Sequence, residues 1–205
     1  MARPRFHKLP TSQQRAIERA ALDEFATHGF NAASLNRIID AAGISKGSMY
    51  YYFDGKDDLY AHVARSELGR LFDETGPFPV PTDRDPDAFW STLESHYLRI
   101  MAALAGSPPL AAFARDWLVA SSNPALQQAQ KEMERALLPW FEQALSAGQK
   151  VHAIRKDLPN GLLIAVVFAM GQAMDAWVMM QQPDARALRK LVRALVGMIR
   201  RALEP

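Results

Sequence analysis

The chain has 205 residues, 49% of them hydrophobic and 22% charged, with a formal net charge of only +2. That length fits one domain, or a small module beside a larger one, and the apolar share is ample for a core. The lack of cysteine excludes disulfides, zinc fingers and thiol catalysis, and the near balance of charge excludes a polycation.

The charge is unevenly placed along the chain. Within residues 1–19, Arg3, Arg5, Lys8, Arg15 and Arg19 stand against Glu18 alone. Residues 1–10 hold two prolines and little periodicity, which predicts a mobile arm. Such an arm either follows phosphates or a minor groove, or is a solvated tail. The same ten residues are basic and lack an apolar run, so no signal peptide is expected and a cytoplasmic location is the simplest reading.

A first helix is expected from Thr11, with Gln14 as its capping-box partner. It buries Ile17, Ala20, Ala21, Phe25 and Leu22 and stops at Gly29. Ser34 then caps a short helix in which Leu35, Ile38, Ile39 and Ala42 repeat at helical spacing. Gly43 supplies the left-handed residue that ends it, and Ile44 returns to the core. Ser45 caps the next helix, which opens Lys46-Gly47-Ser48.

Two short helices about a glycine turn are the layout of a helix-turn-helix reader of DNA. Glycine one turn into a helix costs roughly 1 kcal/mol against alanine, so Gly47 needs a reason. One reason is close approach to a major groove, with Lys46, Gly47 and Ser48 at base edges. The other is a tight contact with a neighbouring helix. Asn36 and Arg37, on the exposed face of the preceding helix, are secondary base or phosphate candidates.

Tyr50, Tyr51 and Tyr52 point three ways from one helix and cannot all be buried. Met49 and Phe53, four apart, form the inward face. Lys56 opens the following helix, where an ammonium and free N–H groups together suit an anion. Ser34, Ser45, Tyr50, Tyr51, Tyr52 and Lys56 are therefore the candidate phosphate contacts.

This segment resembles the tetracycline-repressor (TetR) family of regulators. The resemblance rests on Gly29-Phe30, Ala33-Ser34, Ile38-Ile39, Ala42-Gly43-Ile44-Ser45, Gly47-Ser48-Met49-Tyr50, Tyr52-Phe53 and Gly55-Lys56-Asp57. It covers about the first third of the chain. Ser34 stands for the usual threonine, Ile39 for an alanine and Gly55 for a serine cap, so the next helix leans on Asp54 and Asp58.

Beyond Lys56, the apolar residues Leu59, Tyr60, Val63, Leu68, Leu71 and Phe72 predict a long helix, broken by the proline-rich stretch from Gly76 to Pro81. Asp85-Pro86, Ser107-Pro108 and Asn123-Pro124 each pair a cap with proline at the first helical position. They launch helices to about Ala105, Ala120 and Ala147, and Pro139 should kink the last. Helices over 159–181 and 184–203 complete an all-α chain of about nine helices with no sheet.

The segment Leu162 to Met180 approaches the ~20 apolar residues of a membrane span. Gln172 and Asp175 lie within it, and a mid-span aspartate costs roughly 3 kcal/mol. A helix buried on both sides in a soluble dimer fits better. Ala165, Ala169, Ala173 and Ala176 form its close-approach stripe, with Val167, Met170, Met174 and Trp177 on the opposite side. The last helix is amphipathic, with Leu188, Leu191, Val192, Leu195, Ile199 and Leu203 on one face and basic residues on the other.

The resemblance implies a DNA-binding domain over 1–55 and an effector-binding and dimerisation domain over 56–205. It implies a dimer through the final two helices, adding Leu188, Leu191, Val192, Leu195 and Ile199 to the alanine stripe. It also implies a pocket for a largely apolar small molecule, with Trp90, Tyr97, Met101, Phe113, Trp117, Trp140 and Phe168 as candidate lining. His96, Asp116, Gln143 and Asp175 are the candidate polar contacts.

The five histidines show no metal-ligand spacing, and no phosphate loop or nucleophile elbow is present. No enzyme activity, cofactor or metal is expected. The reading is a homodimeric repressor released from a DNA operator by a small molecule. Its alternative is a DNA-binding regulator without such an effector, answering to a protein partner or to its own concentration.

Overall fold

The computed structural model describes residues 2–76, 85–119 and 124–205. Among them are nine α-helices and one short 3-10 turn, with no strand, as expected. The helices are α1 (Thr11–Ala32), α2 (Leu35–Ala42), α3 (Lys46–Tyr52), α4 (Lys56–Thr75), α5 (Pro86–Ala105), α6 (Pro108–Val119), α7 (Pro124–Lys150), α8 (Asn160–Gln181) and α9 (Ala185–Leu203). They form two compact units, residues 1–70 with 107–133 and residues 71–106 with 134–205. Each unit is built from two separate pieces of chain, whereas the expected division at 55/56 is a single cut.

In the first unit α1 packs on α2 and α6, and α2 on α3. Its core holds Ile17, Phe25, Ile38, Met49, Phe53, Tyr60, Val63, Phe113, Trp117 and Leu126. Tyr60 is the hub: its ring centroid lies 4.7 Å from both Phe25 and Phe113 and 5.7 Å from Trp117. Phe113 and Trp117, expected around a pocket, are core residues of this unit instead. Asp116, a candidate pocket contact, accepts from the Tyr60 hydroxyl at 2.6 Å and the Phe30 amide at 2.9 Å. Burial, reinforced by the Asp116 carboxylate, pushes the Tyr60 hydroxyl far above its ordinary pKa.

Gly29 breaks α1 as expected, at φ 68° and ψ 167°. Its start differs in detail. Pro10 takes the cap position, no side chain caps the helix, and the Gln14 amide donates to the Leu9 carbonyl at 2.8 Å. Glu18 is buried on α1 and holds α4 to it. It accepts from His62 and Ser66 at 2.9 Å each and from Arg70 at 2.9 Å. Burial alone would raise this carboxyl; the His62, Arg70 and Ser66 hydrogen bonds outweigh it and hold the pKa at about 2.

In the second unit α9 packs on α5 and α8. Asp85 caps α5 with Pro86 behind it, and Asp184 caps α9. The stretch 77–84 and Asn123 lie outside the described residues. The helix α7 runs on through Pro139. The apolar face of α9 belongs to the unit's own core: Leu188, Val192, Leu195 and Ile199 are buried within the chain, and Leu191 half-buried. They are thus not an outward dimer face, because α5 and α8 already cover that side.

The outward apolar surface belongs to α8. Leu162, Ala165, Val166, Ala169, Ala173, Trp177 and Met180 are all exposed, and Ala176 is half-buried. By length and composition α8 is apolar enough to cross a membrane, with a mean hydropathy of 1.8. It is not apolar all round, since Asp175 is turned inward onto Tyr97.

Candidate functional site

The reader is assembled from two capped helices. The Ser34 hydroxyl accepts from the Arg37 amide at 3.5 Å and starts α2. Gly43 closes it at φ 65° and ψ 31°, and the Ile44 amide returns to the Ile39 carbonyl at 3.2 Å. The Ser45 hydroxyl accepts from the Ser48 amide at 3.0 Å, and the two hydroxyls share a 2.8 Å hydrogen bond. Met49 and Phe53 are buried beneath α3, as their spacing implies.

The opposite face of α3 is open. Lys46 and Gly47 are exposed and Ser48 is half-buried. A Cβ built on Gly47 meets only Ser45 Oγ, at 3.8 Å, an ordinary contact. No packing among the described residues therefore requires glycine here, which removes the tight-helix explanation. Tyr50 and Tyr51 are each 46% exposed and Tyr52 is half-buried. Asn36 is exposed on α2.

Two candidate contacts are engaged within the chain. Arg37 grips Glu24 through Nε at 2.9 Å and donates to the Ala32 carbonyl at 3.0 Å, which joins α2 to α1. The Arg37 hydrogen bond holds the Glu24 carboxyl below its ordinary range. Lys56 Nζ donates to the Asn31 and Ala33 carbonyls at 3.0 and 3.1 Å and lies 4.8 Å above the Phe30 ring. Both cations serve as struts that fix the reader's shape. Asp58 accepts from the Asp54 amide at 3.0 Å, so the start of α4 leans on this pair as the missing serine cap implied.

The N-terminal arm is docked, contrary to expectation. Phe6 is fully buried, 5.0 Å from the Phe53 ring and 4.7 Å from His62. Arg3 donates from its amide to the Tyr52 carbonyl at 2.9 Å and from Nη1 to the Tyr50 carbonyl at 3.1 Å, and it also pairs with Asp54. Arg5 sits 4.1 Å over the Tyr51 ring. The arm thus caps the last turn of α3. The apolar Phe6 between two basic residues was the available signal, and low periodicity hid it.

The second unit holds a partly open cavity of about 210 Å³. Trp90, Tyr97, Met101, Trp140 and Phe168 line it, as do His96 and Asp175. Gln143 is exposed and does not. Leu195 and Ile199, expected at a dimer interface, form part of the wall. The Tyr97 hydroxyl donates to Asp175 Oδ1. Burial raises the Asp175 carboxyl to about 6 against the pull of that hydrogen bond. Burial, with a smaller push from Arg99, lowers the His96 imidazole. Its Nδ1 accepts from Arg99 at 2.8 Å, and its ring stacks on Trp140 at 5.8 Å.

Residues 17–63 match the family model for bacterial regulatory proteins, tetR family. The HTH-type transcriptional regulator RutR of Escherichia coli (strain K12) is 41% identical over 58 residues, 28% of this chain and 27% of that protein. The aligned stretch thus spans about a quarter of that relative's length. The fatty acid metabolism regulator protein of Bacillus subtilis (strain 168) is 24% identical over 179 residues, 86% of this chain and 90% of the relative. Among solved structures, the fatty acid degradation regulator FadR from Bacillus halodurans superposes with a TM-score of 0.73 at 24% identity, over 89% of this chain and 97% of that one. FadR from Bacillus subtilis, solved with stearoyl-CoA, gives 0.71 at 22% identity, over 90% and 96%. At such identities the superpositions establish the fold.

Proposed function

We propose that this chain, whose residues 17–63 match the family model for bacterial regulatory proteins, tetR family, is a cytoplasmic, homodimeric transcriptional repressor released from its DNA operator by a small, largely apolar effector. The observation that carries DNA reading is the open N-terminal face of α3. Gly47 there has no packing cause among the described residues, and the absent side chain leaves room for a groove wall. Lys46, Gly47 and Ser48 read bases, with Asn36 beside them. Tyr50, Tyr51, Tyr52, Ser34 and Ser45 hold phosphates, while Arg37 and Lys56 do so only through whatever donors their struts leave free.

Residues 1–55 form the DNA-binding part and 56–205 the effector-binding and dimerisation part. The exposed apolar face of α8 supports a dimer contact through Ala165, Ala169 and Ala173, because a run of exposed Leu162, Val166, Trp177 and Met180 along one helix is seldom left to water. The cavity supports an effector, and a fatty-acid regulator with a stearoyl-CoA complex among similar structures favours an apolar one. Effector binding acts by differential affinity for DNA-competent and DNA-incompetent states, a coupling of typically ~1–3 kcal/mol.

Footprinting on the DNA upstream of its own gene and its neighbours, followed by gel shifts, tests the proposal. Lys46→Ala is expected to lose about 1–3 kcal/mol of discrimination between operator and random DNA. Equal losses on both would remove Lys46 from base reading. A metabolite panel that neither raises the melting temperature nor releases DNA would favour a protein partner instead. Ala169→Asp is expected to give monomers in sedimentation; an intact dimer places the interface elsewhere.

A further inference from the structure

The cavity of the second unit carries acid without base. Among the described residues no lysine or arginine lines it, and His96, which does, spends Nδ1 as an acceptor from Arg99 and has its pKa lowered by burial. The carboxyl of Asp175 is the one acidic group in the wall among the described residues. Its Oδ1 receives the Tyr97 hydroxyl, and Oδ2 has no hydrogen-bond partner among the described residues. A carboxylate half-served in an apolar wall is costly, and the shortfall favours a partner that arrives with the ligand.

The remainder of the wall suits the same partner. Trp90, Tyr97, Trp140, Phe141 and Phe168 bring π faces to one small space, and such faces attract cations. A ligand carboxylate would set a second negative charge beside Asp175, with only the Arg99 guanidinium, already spent on His96, to offset it. A plain hydrocarbon would leave Oδ2 unserved.

Resting on the effector-cavity reading above, we infer that this cavity takes a small lipophilic amine, its ammonium donating to Asp175 and its apolar body lying among the aromatic rings. The volume of about 210 Å³ exceeds the roughly 150 Å³ of a cavity that takes benzene, which suits a body of octyl size. Asp175 then serves as a specificity residue, selecting against fatty-acid-like ligands that an apolar cavity alone would admit.

Titration calorimetry of the full chain with octylamine, 1-octanol, sodium octanoate and octanoyl-CoA at pH 7.5 tests this, since the compounds differ only in the head group. Octylamine is expected to bind at least tenfold more tightly than any of the others. In Asp175→Asn that advantage over 1-octanol is expected to vanish. Should the variant fail to fold, the ranking of the four compounds on the unaltered chain still decides. Octanoate, octanoyl-CoA or octanol binding as tightly as the amine overturns the amine class and leaves the effector cavity standing. If none of the four binds, both readings fall. If octylamine binds without releasing operator DNA in a gel shift, the amine class stands and the effector-release reading fails.

Discussion

In the first unit Lys46, Gly47, Ser48 and Tyr51 stand on one seven-residue helix and face outward. In the second, Tyr97, Trp140, Phe168 and Asp175 reach one interior space from α5, α7 and α8. An outward-facing site on one helix is written in local spacing, because each side chain's direction follows from its position in the turn. An interior site on several helices is written in packing, which spacing alone does not specify. The same contrast holds for charge. Glu18 in the first unit is buried with three donors and stays ionised, whereas Asp175 in the second has one donor and is pushed toward neutrality.

The docked arm is where this contrast is easiest to break. Phe6→Ala is expected to cost about 3–5 kcal/mol, the usual range for a buried phenylalanine, and to release Arg3 and Arg5 from α3. An unchanged denaturation midpoint would mean that the arm is detached in solution and that the reader is bounded by α1.

The two buried carboxyls should answer pH in opposite senses. Glu18 titrates at about 2 in the fold against 4.5 outside it. Its contribution is complete above pH 4.5 and is lost as pH falls toward 2, by at most ~3 kcal/mol. Asp175 titrates at about 6 against 3.8. The folded state then holds the proton more firmly, so stability falls by up to ~3 kcal/mol as pH rises from about 4 to 6. Chemical denaturation across pH 2–7 should show Glu18→Gln flattening the acid limb and Asp175→Asn flattening the fall above it. A single profile unaffected by either variant would erase the distinction.

Gly148 sharpens the packing side of the comparison. A Cβ there would lie 2.5 Å from Ile154 Cδ1 and 2.8 Å from the tip of the Phe89 ring. Gly148→Ala is therefore expected to destabilise by about 1–3 kcal/mol despite its better helix propensity. Gly47→Ala is the matched control, with the smallest expected change. Its Cβ enters open space, so the melt should stay level or gain up to ~1 kcal/mol, while operator affinity drops. A destabilised Gly47→Ala would return that glycine to a packing role.

Much of the fold was legible because its signals are short-range. Ser34, Ser45, Asp85 and Asp184 cap where such residues cap, and Gly29 and Gly43 break helices at positive φ. Met49 and Phe53 are buried because they are four apart on one face. The arm was not legible, since Phe6 gains its burial from Phe53 and His62, residues distant in sequence.

Aromatic content alone likewise could not separate Phe113 and Trp117, which surround Tyr60, from Trp90, Tyr97 and Trp140, which surround the cavity. Nor could amphipathicity say whether the leucine face of α9 met its own chain or another. The sequence by itself determined the helices, their caps and the outward character of α3, because backbone hydrogen bonding and helical period act within a few residues. Only the tertiary structure decided that Arg37 and Lys56 are struts, that α8 and not α9 carries the exposed apolar face, and that Asp175 sets a carboxyl among the aromatic residues of the cavity wall. Those outcomes depend on which surfaces exclude water together, a property of helices distant in the chain.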